Sequence, residues 1–474
     1  MKSKNTHILL EINAKYKAAI DFLSNMIRKS PFKGKTFLAG GAVRDELMGL
    51  DPKDIDLVVE LPQGGIKFAE YATKKMGNYK RGSNPVIFPK YGTAKFDLTG
   101  TWKGIKLDGV NIESVMTRSE EYSRGSRKPS VKPGTLKQDV ERRDFTVNSL
   151  LKDLTTGEIK DLTGYGKSDL KKGIIKTPLN PDIIFTEDPL RMLRAIRFTV
   201  KYGWDLPMFM IKAIKNNSAK IKNISNERVR EEFDKMIVSK RPKQAMRILK
   251  ITGLLKYVMP ELQSTMKVGQ NIHHDEDVFN HIMKVVEKVP ADVPKRLAAL
   301  FHDIGKPTVK SIIDNEVHFY AHEKISADVA REVMKRLKYP NDIINKVTSI
   351  VSNHMKLKST GKKGELATDK QLRKLKRNIG DHLEDLLDIM DADNSAHDPM
   401  SNMPDQITAI RKRLKILDKD KKSNKLPING NDIIKLGVKP GPQIGVLLDK
   451  VQDAFDGNPK LTKQQALKII KDNI

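Results

Sequence analysis

Apolar positions recur along this chain with more than one period, and each change of period marks a boundary. From the start to about residue 30, Ile8, Leu9, Ile12, Tyr16, Ile20, Phe22, Leu23 and Ile27 fall mostly three or four apart, which predicts an amphipathic helix. Between about 31 and 165, short apolar runs are broken by Gly, Thr, Val and Asp, the pattern of strands and turns. From about 180 onward the pattern is almost wholly helical, over 187–202, 227–238 and 242–255. A polar stretch at 260–278 opens another helical segment, and the charged stretch 418–427 reads as a linker before a short helical tail. There is no internal repeat and no long low-complexity tract. The expected fold is α+β: an N-terminal helix over 1–30, a small mixed-sheet head over 31–165, a helical body over 166–260, a second helical domain over 261–417 and a helical tail over 418–474. A length of 474 residues, too long for one core, agrees with several domains.

Charge narrows the class of partner. Lys and Arg number 87 against 59 Asp and Glu, a formal net charge of +28. That balance predicts a polyanionic partner, RNA or DNA ahead of an anionic membrane surface. The chain has no cysteine, which excludes disulfides, thiolate metal sites and cysteine nucleophiles. Residues 1–15 lack the apolar core of a signal peptide, and no apolar run reaches membrane-spanning length, so a cytoplasmic protein that does not enter membranes is expected.

The chemistry concentrates first in Phe37-Leu38-Ala39-Gly40-Gly41-Ala42-Val43-Arg44-Asp45 and Asp54-Ile55-Asp56-Leu57-Val58-Val59. A short strand leads into a Gly40-Gly41 turn that lets backbone approach a phosphate, and the helix that follows offers its first amides to an anion. Asp54 and Asp56, two apart on a strand, point to one face and can share divalent cations. A glycine pair alone is also an ordinary turn, and two aspartates alone a solvated strand edge. Their order and closeness favour the functional reading.

Glycine turn, helix bearing Arg44-Asp45, then Asp-x-Asp resembles motif A of the class II tRNA nucleotidyltransferases and bacterial poly(A) polymerases. The resemblance implies that Asp54 and Asp56 hold two Mg²⁺ ions, one activating a 3′-hydroxyl and the other stabilising the triphosphate as pyrophosphate leaves. It also implies a third carboxylate. Glu113, in Ile112-Glu113-Ser114-Val115-Met116-Thr117-Arg118, stands where the family has a strand ending in Thr-Phe-Arg, and Asp97 is its rival. Glu141-Arg142-Arg143-Asp144-Phe145-Thr146-Val147-Asn148 is similar to motif B, which implies Arg143, Asp144 and Asn148 at the ribose and phosphates, beside Gly40, Gly41 and Arg44. Arg124, Arg127 and Lys128 lie in a basic loop between the motifs. Glu187-Asp188-Pro189-Leu190-Arg191 opens a predicted helix, on which Asp188, Arg191 and Arg194 share a face and pair as ions. In the family Glu-Asp-x-x-Arg is the protein template for the base. Carried over, Asp188 and Arg191 read the edge of CTP or ATP, with Arg194 and Arg197 alongside.

A second constellation comprises His281, His302, Asp303, His322, His354 and Asp393. Leu297-Ala298-Ala299-Leu300-Phe301-His302-Asp303-Ile304-Gly305-Lys306-Pro307 resembles the core of an HD phosphohydrolase domain, its apolar run burying a helix that ends at His302 and Asp303. Four of the chain's 10 histidines fall in this set. A lone histidine is more often structural, but six ligand candidates in the family's order suit a divalent metal whose identity the residues do not name. The resemblance, which covers about residues 35 to 455, implies hydrolysis of phosphates on RNA ends. The basic stretch Lys356–Arg377, without interleaved aromatics, suits phosphate contacts on structured RNA.

The expected function is therefore template-independent addition of CCA to tRNA 3′ ends from CTP and ATP, with a hydrolytic HD domain. The rivals are a poly(A) polymerase of the same fold, an HD phosphohydrolase whose head only grips RNA, and a non-catalytic basic RNA-binding module. Oligomeric state is not legible in the residues.

Overall fold

The structure is a computed structural model that describes every residue except Met1, Lys53, 78–83, 122–129, 271–275, 358–366, 398–404 and 420–425, with backbone only at 2–13, 120–121 and 419. Arg124, Arg127 and Lys128, most of the charged linker, and the side chains of Ile8, Leu9 and Ile12 thus lie outside the described residues. The chain divides into two compact units, Met1–Ser225 with Ile248–Tyr257, and Asn226–Arg247 with Val258–Ile474. The expected mixed-sheet head and helical remainder are present. Among the described residues, no helix is long and apolar enough to cross a membrane.

In the first unit a seven-stranded sheet carries β1 (Thr36–Ala39), β2 (Ile55–Val59), β3 (Val86–Phe88), β4 (Thr93–Leu98), then β5 and β6 (Thr101–Trp102, Ile105–Lys106) as a separate ribbon, and β7 (Val110–Met116). A second ribbon follows, β8 and β9 (Arg118–Glu121, Ser130–Pro133), before β10 (Leu151–Asp153) and β11 (Ile159–Lys160) rejoin the sheet. Strand order is β11-β10-β1-β2-β7-β4-β3, antiparallel except for the parallel β2–β7 pair at its centre. Side-chain alternation sorts the two faces. Leu38, Ile55, Leu57, Val59 and Ile112 bury one face with Phe68, Ala69 and Ala72 of the helix Gly64–Lys75 and with Ala19, Leu23 and Ile27 of the N-terminal helix Lys2–Ile27. On the other face, Phe37, Ala39, Val58 and Leu151 pack under Leu136 and Val140 of the helix Leu136–Glu141. On that same face Asp56 of β2 is exposed and Glu113 of β7 is half-buried.

Two departures from the sequence reading concern element ends. Strand β2 starts at Ile55, so Asp54 is the residue just before it. The helix predicted over 187–202 starts at Leu190, while Glu187 closes a preceding helix, Pro181–Glu187, and Asp188 lies between the two in extended conformation (φ −136°, ψ 97°). Asp188 precedes a proline, whose ring disfavours helical geometry in the residue before it.

The second unit is helical. Val278–Lys288, Val293–Phe301, His322–Arg336, Asn341–Asn353 and Leu383–Asn394 carry its main apolar faces, and the helix Val293–Phe301 ends at His302. Among the described residues, one small hairpin interrupts the helices, β12 (Ser311–Ile313) and β13 (Glu316–His318). The tail forms its own small core from Ile428, Ile433, Leu447, Val451 and Ile470.

Candidate functional site

Strand register builds the first site. On the partly open face of the sheet, Asp56 of β2 is opposite Glu113 of β7, and Glu113 is opposite Lys95 of β4. Lys95 Nζ lies 2.9 Å from Glu113 Oε2. Asp97 pairs in register with Asn111, one more strand away from Asp56 than Glu113 is. Crowding by surrounding protein, then repulsion from Glu113 and Asp54, pushes the Asp56 carboxyl up to about 6, although the residue remains exposed. Asp56, with Glu113 opposite it in register and Asp54 two residues before it, forms a carboxylate donor set suited to hard divalent cations.

Beside them lies the glycine turn. Gly40 has φ +66°, a conformation that glycine adopts at no steric cost, and a Cβ there would stand 3.2 Å from Arg143 Nη1. Arg143 is held by Asp139, its Nη2 donating to Oδ2 at 2.9 Å, and Nη2 of Arg142 reaches the other oxygen at 2.5 Å. Burial works against the charge on Asp139, but the two arginines outweigh it and hold the carboxyl below its ordinary range. Sequence reading missed this fully buried residue, although an aspartate three and four positions before two arginines is a usable signal for an ion pair at a helix end.

A chain of hydrogen bonds ties the motifs together. Arg44 donates to Asn148 Oδ1 at 2.5 Å, Asn148 donates to Asp144 Oδ1 at 3.0 Å, and Arg194 donates to Asp144 Oδ2 at 2.6 and 2.9 Å. Burial raises the proton affinity of Asp144, but Arg194 and Asn148 more than offset this, so it stays ionised. Arg44 also lies 5.2 Å from the ring centroids of both Phe198 and Tyr202. Phe145 and Val147, fully buried, fix the backbone between these groups.

The expected ion pair between Asp188 and Arg191 is replaced. Asp188 Oδ1 accepts the Leu190 amide at 3.1 Å, while Arg191, buried, donates to Glu187 at 3.2 Å and to the Arg142 carbonyl at 2.6 Å. Arg197 lies against Phe198, its guanidinium 4.3 Å from the ring centroid.

The second unit brings the six histidine and aspartate candidates into two buried groups, His281–His302–Asp393 and Asp303–His322–His354. Asp303 joins them. Its Oδ2 is 3.2 Å from His302 Nε2, and its Oδ1 is 3.1 Å from His322 Nε2. The Nδ1 atoms of His302, His322 and His354 lie 2.7–2.8 Å from the carbonyls of Ala299, Phe319 and Val351. A carbonyl only accepts, so each Nδ1 carries the proton and each Nε2 is turned inward. His302 and His281 face each other through Nε2 atoms 3.4 Å apart, His322 and His354 at 3.3 Å. Imidazoles locked in this tautomer around a shared carboxylate fit a divalent cation. Burial pushes His281 down to about 4 against the pull of Asp393, and burial lowers His354, so both favour the neutral ligand form. Two neighbours escaped the sequence reading: Lys306, buried with Nζ 2.7 Å from Asp303 Oδ2, and His397, whose ring lies 5.4 Å from that of His281.

The basic helix Asp369–Ile379 is committed elsewhere. Arg373 donates to the Asp456 carbonyl at 2.9 Å, Lys374 pairs with Asp453 at 2.9 Å, Lys376 with Asp418, and Arg377 with Asp456. These cations anchor neighbouring helices, which accounts for much of the basic run that suited RNA phosphates in the sequence.

Comparison with known proteins places this geometry. Residues 36–176 match the poly A polymerase head domain, 210–266 a probable RNA and SrmB-binding site of polymerase A, and 272–396 the HD domain. A multifunctional CCA protein of Azoarcus sp. is 31% identical over 68% of this chain and 73% of its own. The chain belongs to the tRNA nucleotidyltransferase/poly(A) polymerase family. Over nearly its full length this family member is also 27% identical to tRNA nucleotidyltransferase cca1 of Schizosaccharomyces pombe, covering 98% of this chain and 97% of that one. Its fold matches the crystal structure of the Bacillus stearothermophilus CCA-adding enzyme in complex with CTP, with TM-score 0.65, 21% identity, and coverage of 97% and 98%.

Proposed function

We propose that this chain adds C, C and A to tRNA 3′ ends from CTP and ATP without a nucleic-acid template, and that its HD domain hydrolyses phosphate esters at RNA ends. The observation that carries the first part is the register of Asp56 against Glu113 on the parallel central strands, with Asp54 one residue ahead of β2. Register also favours Glu113 over Asp97 as the third carboxylate. Asp54, Asp56 and Glu113 would hold Mg²⁺, which when bound supplies a lowered hydroxyl pKa and charge neutralisation on the triphosphate.

The remaining work falls to the chain's own groups. In the transfer, the 3′-oxygen of the RNA attacks the α-phosphorus and the bond to pyrophosphate breaks. The Gly40-Gly41 turn admits the triphosphate close to backbone, and Arg143, fixed by Asp139, offers cationic N–H groups beside it. Asp144 and Asn148, joined by their own hydrogen bond, suit ribose hydroxyls. Asp188 and Arg191 serve as the base template, with Arg194 and Arg197 on the same helix supporting them. Arg191 is braced by Glu187 and the Arg142 carbonyl, so a base would meet a prepositioned guanidinium.

For the hydrolytic part, the support is the inward-facing imidazoles and the carboxylate that joins their two groups. His281, His302, Asp303, His322, His354 and Asp393 would hold the divalent cation, which when bound supplies an activated water. One experiment addresses both parts: labelled CTP and ATP with tRNA ending before CCA, alongside hydrolysis of an RNA 3′-phosphate. The expected products are tRNA-CCA and the free hydroxyl end, with incorporation surviving His302→Ala and hydrolysis lost. Incorporation of ATP but never CTP would assign the chain to the poly(A) polymerases instead. Unchanged activity after Asp54→Ala with Asp56→Ala would leave the head a grip only.

A further inference from the structure

We propose that the exposed face of the His318–Tyr320 ring pair is a stacking platform for the base of an RNA 3′-terminal nucleotide whose phosphate is handled at the histidine–aspartate groups. This rests on the hydrolase reading above and adds the substrate's recognition element to it. The platform begins with the hairpin of β12 and β13, turned by Asp314 and Asn315, both at positive φ (51° and 60°). Two successive left-handed residues give the tight turn whose twist suits a hairpin. Strand β13 ends at His318, and the chain continues through Phe319, Tyr320 and Ala321 to His322 of the metal-ligand set, where the next helix starts.

The three aromatic residues there divide by side. Phe319 faces inward: its ring centroid is 5.3 Å from Lys306 Nζ, which is itself 2.7 Å from Asp303 Oδ2. Its carbonyl accepts the Nδ1–H of His322 at 2.8 Å. His318 and Tyr320 lie together as parallel rings, 6° between planes and 5.2 Å between centroids, with Tyr320 Oη 3.3 Å from His318 Nδ1. Tyr320 is 65% exposed, whereas His322 two positions later is buried. The reversal between them is made by Ala321, held at φ 55°, ψ 23°, a left-handed conformation that a residue with a Cβ rarely takes.

A Tyr320 ring braced flat on the half-buried His318 and open to water, a few residues from the buried histidine–aspartate groups, has the form of a base platform. Stacking needs only a π-face, which every base has, and the phosphate is left to the metal-ligand groups and Lys306. The chain's net charge of +28 favours an RNA end over a free nucleotide as the source of that base.

The test uses the full chain, with the divalent ion that gives fastest hydrolysis, and two oligoribonucleotides carrying a terminal 2′,3′-cyclic phosphate. One ends in adenosine, the other in an abasic ribose. Stacking on one aromatic predicts a kcat/KM ratio of about 5- to 150-fold in favour of the adenosine end, expressed mainly in KM. Tyr320→Ala should collapse that ratio towards one and Tyr320→Trp should keep it, a comparison that general damage to folding does not mimic. Persistence of the ratio in Tyr320→Ala, absence of a ratio in the parent chain, or a clear preference for free adenosine cyclic phosphate would each overturn the proposal. If the parent chain cleaves none of these substrates, the hydrolase reading fails by itself, and the platform is decided by the fluorescence of Tyr320→Trp. Quenching of the added indole by the adenosine-ended oligonucleotide and not by the abasic one supports it, and equal response to both overturns it.

Discussion

At the residue scale, Asp56 shows most directly how site chemistry opposes stability. Its folded pKa of about 6 exceeds the ordinary 3.8, so the folded chain holds this proton more tightly than the unfolded chain does. The fold therefore loses stability as pH rises from the lower value to the higher, and the full penalty applies above both. A complete shift of that size would be worth about 3 kcal/mol, but Asp56 is exposed and solvent screening reduces this to about 1. Asp56→Asn should then raise the melting temperature of the metal-free first unit by about 2–4 °C at pH 8 and leave it unchanged at pH 3. Both tryptophans, Trp102 and Trp204, belong to that unit, so intrinsic fluorescence in EDTA reads it alone. On the proposed function, in which Asp56 holds Mg²⁺, the same substitution should cut nucleotide incorporation by about a hundredfold or more. In the parent chain at low Mg²⁺, incorporation should fall as pH drops through about 6, and added Mg²⁺ should move that limb downwards, because cation and proton compete for one carboxylate. A more stable yet equally active Asp56→Asn variant would remove this residue from the chemistry.

At the element scale, the head depends on a close approach between the helix Gly64–Lys75 and the sheet. A Cβ on Gly65 would lie 2.3 Å from the Ser114 carbonyl oxygen and 2.5 Å from that of Gly92, both backbone atoms with little freedom to yield. The Gly65 carbonyl in turn accepts the Ser114 hydroxyl at 2.7 Å, one residue from Glu113. Gly65→Ala should destabilise the first unit by about 2–3 kcal/mol in urea followed by tryptophan fluorescence, and weaken incorporation by shifting the strand that bears Glu113. Full stability in that variant would show the packing to be looser than these distances. Nothing in the sequence marks Gly65 out, because the contact is made across the fold by residues far apart in the chain. Local patterns were more legible. The strand–Gly-Gly–helix order and the apolar run ending at His302 follow from spacing, and the family was readable because the motifs at those places resemble its own. The helix break at Asp188 was also present as its following proline, but the strong apolar period of Leu190, Leu193 and Ile196 obscured it. The hairpin at 311–318 was hidden in the same way, a short β-branched run with an Asp-Asn turn inside a long helical context.

At the scale of the whole molecule, the charge of +28 carries a prediction about RNA binding that composition alone does not resolve. Each phosphate neutralised by the protein releases counterions, and the logarithm of affinity falls by about 0.7–0.9 per phosphate for each tenfold rise in salt. A tRNA held through five or more phosphates should give a slope of about 4 or steeper in filter-binding or anisotropy measurements at several salt concentrations. The basic helix Asp369–Ile379 is the obvious source of such contacts in the sequence, but its side chains face acids. Arg377 in particular pairs with Asp456, a buried carboxylate with which water and salt compete poorly. Arg377→Gln should therefore leave the salt slope unchanged while loosening the helix Pro442–Gly457, seen as faster amide exchange across that helix. A slope reduced by about one in that variant, with exchange unchanged, would instead assign the arginine to an RNA phosphate and make Asp456 its resting partner. The expected outcome separates the two uses of positive charge in this chain. Part of it is spent inside the second unit holding acidic helices, and only the remainder is available to a polyanion, so the effective charge that tRNA meets is smaller than the sum over residues.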